Sequence, residues 1–182
     1  LIILAGVAAS LLAYDKVPQR MASHWNGRGE VDGWIDKDIN LFILPGIVLI
    51  QLVTFLIIMQ IDPLKKNLQA SSKYIGNFFV MLSLFLLLIH LWMIAWNVGI
   101  MISSNVIMPV AVGCLFFYLG TILDNVKRNW FVGIRTPWTL SNETVWKKTH
   151  HLSGILFRLA GIAVLVGALF PKYAIWFVLV PA

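Results

Sequence analysis

Apolar residues in this chain come in long unbroken runs, and the polar residues are gathered between them. A membrane-crossing run needs about 20 apolar residues. Backbone that faces lipid must satisfy its own hydrogen bonds, so such runs predict helices. Asn40–Ile61, Tyr74–Asn97, Val106–Leu123 and Leu152–Phe170 qualify. Asp62–Pro63 and Pro171 follow the first and last of these, where a proline cannot continue a helix. Two shorter runs flank the four. Leu1–Ala13 reads as the end of a helix begun earlier, with a signal peptide as the alternative, and Tyr173–Val180 as the beginning of a sixth helix. The expected fold is an all-α integral membrane protein: one membrane domain over 1–182, a polytopic bundle of about six transmembrane helices with the first and last incomplete.

Composition agrees. Hydrophobic residues make up 59% of the 182 and charged residues only 12%, and mean hydropathy is +0.84. Soluble domains carry about 25% charged residues. A soluble enzyme, a disordered tail and a nucleic-acid-binding domain are therefore excluded, and no direct nucleic-acid contact is expected. The surplus apolar surface must face membrane lipid. Cys114, the one cysteine, lies inside a run and allows no intrachain disulfide.

Charge sets an orientation. Lys65, Lys66 and Lys73 follow the second run, and Lys127, Arg128, Arg135, Lys147 and Lys148 follow the fourth. The loops on the opposite side hold Lys16, Arg20, Arg28, Lys37 and Lys172. Eight basic residues against five place the second and fourth loops in the cytoplasm by the positive-inside rule. Segment 14–39 is then a structured extracytoplasmic loop, and 124–151 a basic cytoplasmic loop leading into an interfacial helix.

The 14–39 loop reads Pro18-x5-His24-Trp25-Asn26-x2-Gly29-Glu30-Val31-Asp32-Gly33-Trp34-x2-Lys37. Gly27, Gly29 and Gly33 allow tight turns with positive φ, so the loop is built rather than slack. Trp25 and Trp34 suit the headgroup layer, with His24, Asn26, Asp32 and Lys37 between them as candidate ligand-binding groups. Turn-capping or a mutual His–Asp pair is the structural alternative. Metal binding is disfavoured, because no second ligand stands at a recognisable spacing.

The 124–151 segment offers Asn129, Gly133, Arg135, Thr136, Pro137, Trp146 and His150. Ser141 is the expected N-cap of a helix with Glu143 in its first turn, running on into the fifth span. Lys147, His151, Gly154 and Arg158 would share one face of it. An arginine within the bilayer costs about 2.5–3.5 kcal/mol and calls for a partner, for which Asp124 is the candidate; snorkelling to the interface is the alternative. Arg135 presents a fork suited to carboxylate or phosphate, or to tying the loop to Glu143 or to backbone carbonyls. In the third span His90, Met93 and Asn97 share a face, where His90 could reach His24. Trp92 and Trp96 need only lipid packing and interface anchoring.

Taken together, the Pro18–Lys37 stretch and Asn129–Leu140, followed by Trp146 and Thr149-His150, resemble the SdpI/YfhL family of bacterial membrane proteins. The first stretch is similar to the N-terminal domain of unknown function that recurs there. The resemblance implies an immunity protein of the bacterial cell membrane that binds a secreted, cannibalism-type antimicrobial peptide and signals by holding a small transcriptional repressor at the membrane. It implies functional positions at His24, Asn26, Gly29, Asp32, Lys37, Asn129, Gly133, Arg135, Thr136, Pro137, Trp146 and His150. No cofactor is implied. Glu30, Asp32, Asp36 and Asp38 would meet an apolar, cationic peptide. Two other classes compete. A membrane enzyme acting on lipid or peptide would use His24 with Asp32, or His150 with Glu143. A transporter would use Arg158, Asp124, His90 and Asn97 as a polar path.

Overall fold

The computed structural model describes residues 1–180. Eight helices and one two-stranded sheet follow in the order α1 (Ile2–Ala13), β1 (Arg20–Trp25), β2 (Val31–Asp36), α2 (Lys37–Ile61), α3 (Lys65–Ala70), α4 (Ser72–Asn97), α5 (Ser104–Ile122), α6 (Pro137–Ser141), α7 (Glu143–Gly167) and α8 (Ala174–Leu179). Four helices, α2, α4, α5 and α7, are long and apolar enough to cross a membrane. The expected all-α membrane bundle is what forms, with one addition. The 14–39 loop is an antiparallel β-hairpin.

Side chains along the middle of the spans are largely exposed to the surroundings, as lipid-facing residues are. Burial concentrates at the two ends of the bundle. At the hairpin end Met21, Leu41, Trp92, Met93 and Ile94 form one core, with Trp25 and Met108 packed on it. At the other end Leu68, Ile75, Val126 and Trp146 form a second, under the 126–142 segment.

Between the ends, backbone contact joins α5 to α7. A Cβ added to Gly120 would lie 2.5 Å from the Gly154 carbonyl oxygen, and one added to Gly161 would lie 2.5 Å from the Phe117 nitrogen. With lipid as the alternative solvent, burying apolar surface gives little drive for helix association, and small residues let backbones touch instead.

A proline explains the α1–α2 contact. Pro45 in α2 has no N–H to offer the carbonyl four residues earlier, that of Leu41. The Ser10 hydroxyl of α1 donates to that carbonyl at 2.6 Å. Ser10 then accepts from His90 Nε2 at 2.9 Å. His90 therefore carries its proton on Nε2 and is spent on this buried network. It does not meet His24, because α1 occupies the space beside it.

Helix starts differ from expectation where short polar side chains compete. Asn142, not Ser141, caps α7, its side chain accepting from the Thr144 and Val145 amides. Ser141 ends α6 and turns back to the Trp138 carbonyl. Glu143 sits in the first turn of α7 as expected. Its partner is Lys147 at 3.3 Å, which leaves neither Arg135 nor His150 paired with it.

Candidate functional site: a cavity beneath the hairpin

The hairpin is irregular at the residues that matter. Ala22 pairs with Trp34 and His24 with Gly33, and the register slips between Ala22 and His24 and again before Trp25. Such bulges strand backbone groups of the ladder. Asn97, at the end of α4, takes both those of Ala22: its Oδ1 accepts from the Ala22 amide at 2.8 Å, and its Nδ2 donates to the Ala22 carbonyl at 3.1 Å. Asn40 of α2 approaches the same carbonyl at 3.4 Å. Two asparagines thus hold the hairpin across the top of the bundle.

The turn is organised by Asn26. Its Oδ1 accepts from the Arg28 and Glu30 amides, and its Nδ2 donates to the Glu30 carboxylate at 2.9 Å. Gly29 has φ +81°, the one glycine of the loop in the left-handed region. Gly27 and Gly33 serve by close approach instead, Gly27 to Ile175 and Gly33 to the His24 Cβ. Arg28 also pairs with Glu30 at 3.0 Å. The Asn26 amide and then the guanidinium hold the Glu30 carboxyl below the usual range. Lys37 donates to the Tyr14 carbonyl at 3.1 Å and lies over the Tyr14 ring, tying the hairpin base to α1. Tyr14 in turn donates to Asp38, which raises its phenol pKa. Asp32 binds His24 across the strands, both exposed.

The four acids expected to meet a cationic peptide are thus each engaged: Glu30 with Arg28, Asp32 with His24, Asp36 with Arg20 at 4.0 Å, and Asp38 with Tyr14. Trp34 is exposed, as a headgroup-layer ring should be. Trp25 and Trp92 depart from that expectation. They pack into the core with their rings tilted against each other, centroids 4.3 Å apart, and with Trp96 5.5 Å from Trp25. Trp92 donates to the Ile102 carbonyl.

Under the hairpin lies a cavity of about 500 Å³, within the range of ligand pockets. Its walls come from β1 (Ser23, His24, Trp25), α2 (Asn40, Ile43, Leu44), α4 (Ile89, Trp92, Met93), α5 (Ser104, Asn105, Met108) and α8 (Ile175, Val178). Most of this lining is apolar, with a few polar side chains among it, Asn40 and Ser104 both buried. His24 and Asn26 line it; Gly29, Asp32 and Lys37 do not, and shape the hairpin instead. Asn40, Ser104, Asn105 and Trp92 escaped sequence reading as site residues. The signals available were a lone Asn opening an apolar run and the Ser103-Ser104-Asn105 cluster before another.

At the opposite end, the candidate residues of 124–151 come together as one folded cap. Asn129 is fully buried; its Oδ1 accepts from the Phe131 and Val132 amides, and its Nδ2 donates to the Lys127 and Val132 carbonyls. Gly133 takes φ +113°, with His150 where a side chain would project. His150 stacks on Trp146 at 3.9 Å. Its Nδ1 meets the Trp146 carbonyl and its Nε2 the Ile134 amide, which fixes a neutral ring protonated on Nδ1. Thr136 and Thr139 form a capping box with Pro137 in the first turn of α6, and Arg135 donates to the Trp130 carbonyl at 2.8 Å. Asp62, Asn67 and Ser71 bind this cap to the second loop through Trp130, Arg128 and Lys127. Trp146 Nε1 donates to the Val126 carbonyl.

Asp124 is taken by His151 at 3.0 Å, not by Arg158, whose stem lies against Gly120. His90 and Asn97 belong to the hairpin half of the bundle, Asp124 and Arg158 to the other. Among the described residues no hydrogen bond joins the two groups into a path. No cluster of three His, Cys, Asp or Glu side chains able to hold a metal occurs among them either.

Four spans, a hairpin and a basic cap define a multi-pass integral membrane protein. Residues 125–182 match the SdpI/YfhL protein family, and residues 1–49 match the Domain of unknown function (DUF1648). The chain is 24% identical over 170 residues to the Immunity protein SdpI of Bacillus subtilis (strain 168), covering 93% of this chain and 79% of that one. That relative is named as an immunity protein and not as an enzyme. No solved structure matches.

Proposed function

We propose that this is an immunity membrane protein that captures a secreted antimicrobial peptide at the cavity beneath the hairpin. The observation that carries the reading is that cavity, an apolar chamber of about 500 Å³ at one end of the bundle, roofed by a hairpin that two asparagines hold in place. A peptide that attacks membranes is apolar, and the chamber would withdraw part of it from lipid by offering equivalent apolar contact plus polar groups that lipid lacks. The hairpin end faces outward and the cap end inward, as the basic residues prescribe.

Protection measures the capture. Cells sensitive to the peptide survive challenge when they express the wild type. Met108→Trp, which fills the chamber from α5, abolishes survival at unchanged membrane levels. Survival of the Met108→Trp strain would overturn the assignment of capture to this cavity.

A signalling role is the second part of the proposal. The cap end carries Lys65, Lys66, Lys127, Arg128, Arg135, Lys147 and Lys148 on a platform braced by Asp62, Asn67 and Ser71. A repressor held at the membrane would dock on that basic platform. Its retention in membrane fractions falls with Lys147→Glu/Lys148→Glu; unchanged retention would place docking elsewhere.

A further inference from the structure

The cavity has a chemical polarity of its own. Among the described residues two polar atoms in its walls are buried and have no partner: Trp25 Nε1 and Ser104 Oγ. Ser104 is only 4% exposed, and the indole nitrogen can only donate. A buried donor without an acceptor costs about 1–3 kcal/mol, so such groups in a folded protein call for an explanation. Ser104 is also the first residue of α5, a 19-residue helix capped by Ser103. Its N-terminal amides put positive partial charge at the same wall. Asn105, next along the helix, lines the cavity as well, and Gly29 of the hairpin turn lies over Ser104 and Asn105. Among the described residues no acid lines the chamber. These donors therefore line one chamber, which is fit for an oxygen acceptor, preferably an anionic one.

We infer that the cavity takes the carboxyl-terminal end of its peptide, apolar side chains filling the chamber and the terminal carboxylate accepting from Trp25 Nε1 and Ser104 Oγ at the start of α5. This rests on the reading of the protein as a peptide-capturing immunity protein, and it names which part of the peptide is held. At about 500 Å³ the chamber suits a few residues and not a whole peptide.

The test uses the full chain in phosphatidylcholine nanodiscs and calorimetric titration with acetylated Leu-Ala-Leu-Phe, as the free acid and as its C-terminal amide, with dodecanoate as a third probe. The acid binds about tenfold more tightly than the amide, the difference a charge-assisted hydrogen bond makes. Ser104→Ala lowers affinity for the acid about tenfold and erases the preference. Without probe, Ser104→Ala unfolds at the same temperature as the wild type or higher, because the substitution removes an unpartnered group. A merely structural serine would not give that combination. Trp25→Phe, which keeps a ring against Trp92, repeats the loss of preference.

Equal binding of acid and amide, or an undiminished preference in both variants, would overturn the inference. So would Ser104-dependent binding of dodecanoate with none of the peptide acid, since the site would then hold a lipid carboxyl. Failure of the wild type to protect cells, with the acid preference intact, would instead count against the immunity reading alone.

Discussion

Asn97→Leu isolates the link between the bundle and its roof. The substitution keeps approximate size and removes both hydrogen-bonding atoms. In the wild type the Ala22 amide donates to Asn97 Oδ1 at 2.8 Å, and the Ala22 carbonyl accepts from Asn97 Nδ2 at 3.1 Å. Ala22 is 1% exposed, so water cannot replace these partners without the hairpin lifting. The carbonyl retains Asn40 at 3.4 Å; the amide retains nothing. An unpaired buried donor costs about 1–3 kcal/mol, which corresponds to opening that is about 5 to 150 times more frequent. Amide hydrogen exchange reads this directly, since local opening sets the rate. The segment 20–25 should exchange faster by that factor in Asn97→Leu, while the cap segment 126–134 is unchanged. Asn40→Leu, losing one long bond, should have a smaller effect. Wild-type protection of residues 20–25 in Asn97→Leu would refute the pinning of the hairpin by α4.

Other perturbations follow from the same geometry. Gly161→Ala drives a Cβ into the Phe117 backbone and should destabilise the bundle by about 1–3 kcal/mol or more, whereas Gly76→Ala, with nothing within 4 Å, should be neutral; thermal unfolding in detergent separates them. His150→Phe keeps the stack on Trp146 but deprives the Ile134 amide of its partner, so the cap should loosen and proteolysis within 126–142 accelerate, by about 1–3 kcal/mol of local stability. Glu30 is depressed in the folded turn, so its contribution is complete above the ordinary glutamate pKa of about 4.3 and fades as pH falls through its lower folded value. A nitroxide at Val31→Cys, in a Cys114→Ser background, should gain mobility on acidification, and Glu30→Gln should abolish that response. For orientation, an impermeant maleimide should label Arg28→Cys in intact cells and Lys148→Cys only after permeabilisation; the reverse pattern would invert the proposed topology.

The spans were legible because lipid imposes a uniform demand on a helix: apolar run and internal hydrogen bonds. Their boundaries at Asn97, Ile61 and the Pro171 region follow from polar residues and prolines visible in the chain. The hairpin was not legible as strands. Its alternation is broken by the bulges at Ala22–His24–Trp25, and the glycines pointed only to turns. Nor could single-residue chemistry foresee the pairings that three-dimensional proximity decides. Asp124 faces His151 because Gly154 brings α7 against α5, and His90 faces Ser10 because Pro45 strands a carbonyl for Ser10 to satisfy. In the cap, the candidate residues lie together in one folded segment. Their hydrogen bonds run almost wholly to backbone amides and carbonyls, so Asn129, Thr136 and His150 build the platform. The cavity-lining Ser104 and Asn105 stayed hidden because a serine–asparagine cluster ahead of an apolar run reads first as a helix cap, and Ser103 indeed caps α5.

Photocrosslinking would locate the peptide most directly. Benzoylphenylalanine placed at Ile43, within the cavity, and at Leu159, on the exposed face of α7, gives two reporters in the same bundle. On adding the antimicrobial peptide to membranes and irradiating, Ile43 should yield a peptide adduct that excess unlabelled peptide suppresses, and Leu159 should yield none. Equal, unsuppressed adducts at both positions, or an adduct from Leu159 alone, would contradict capture beneath the hairpin.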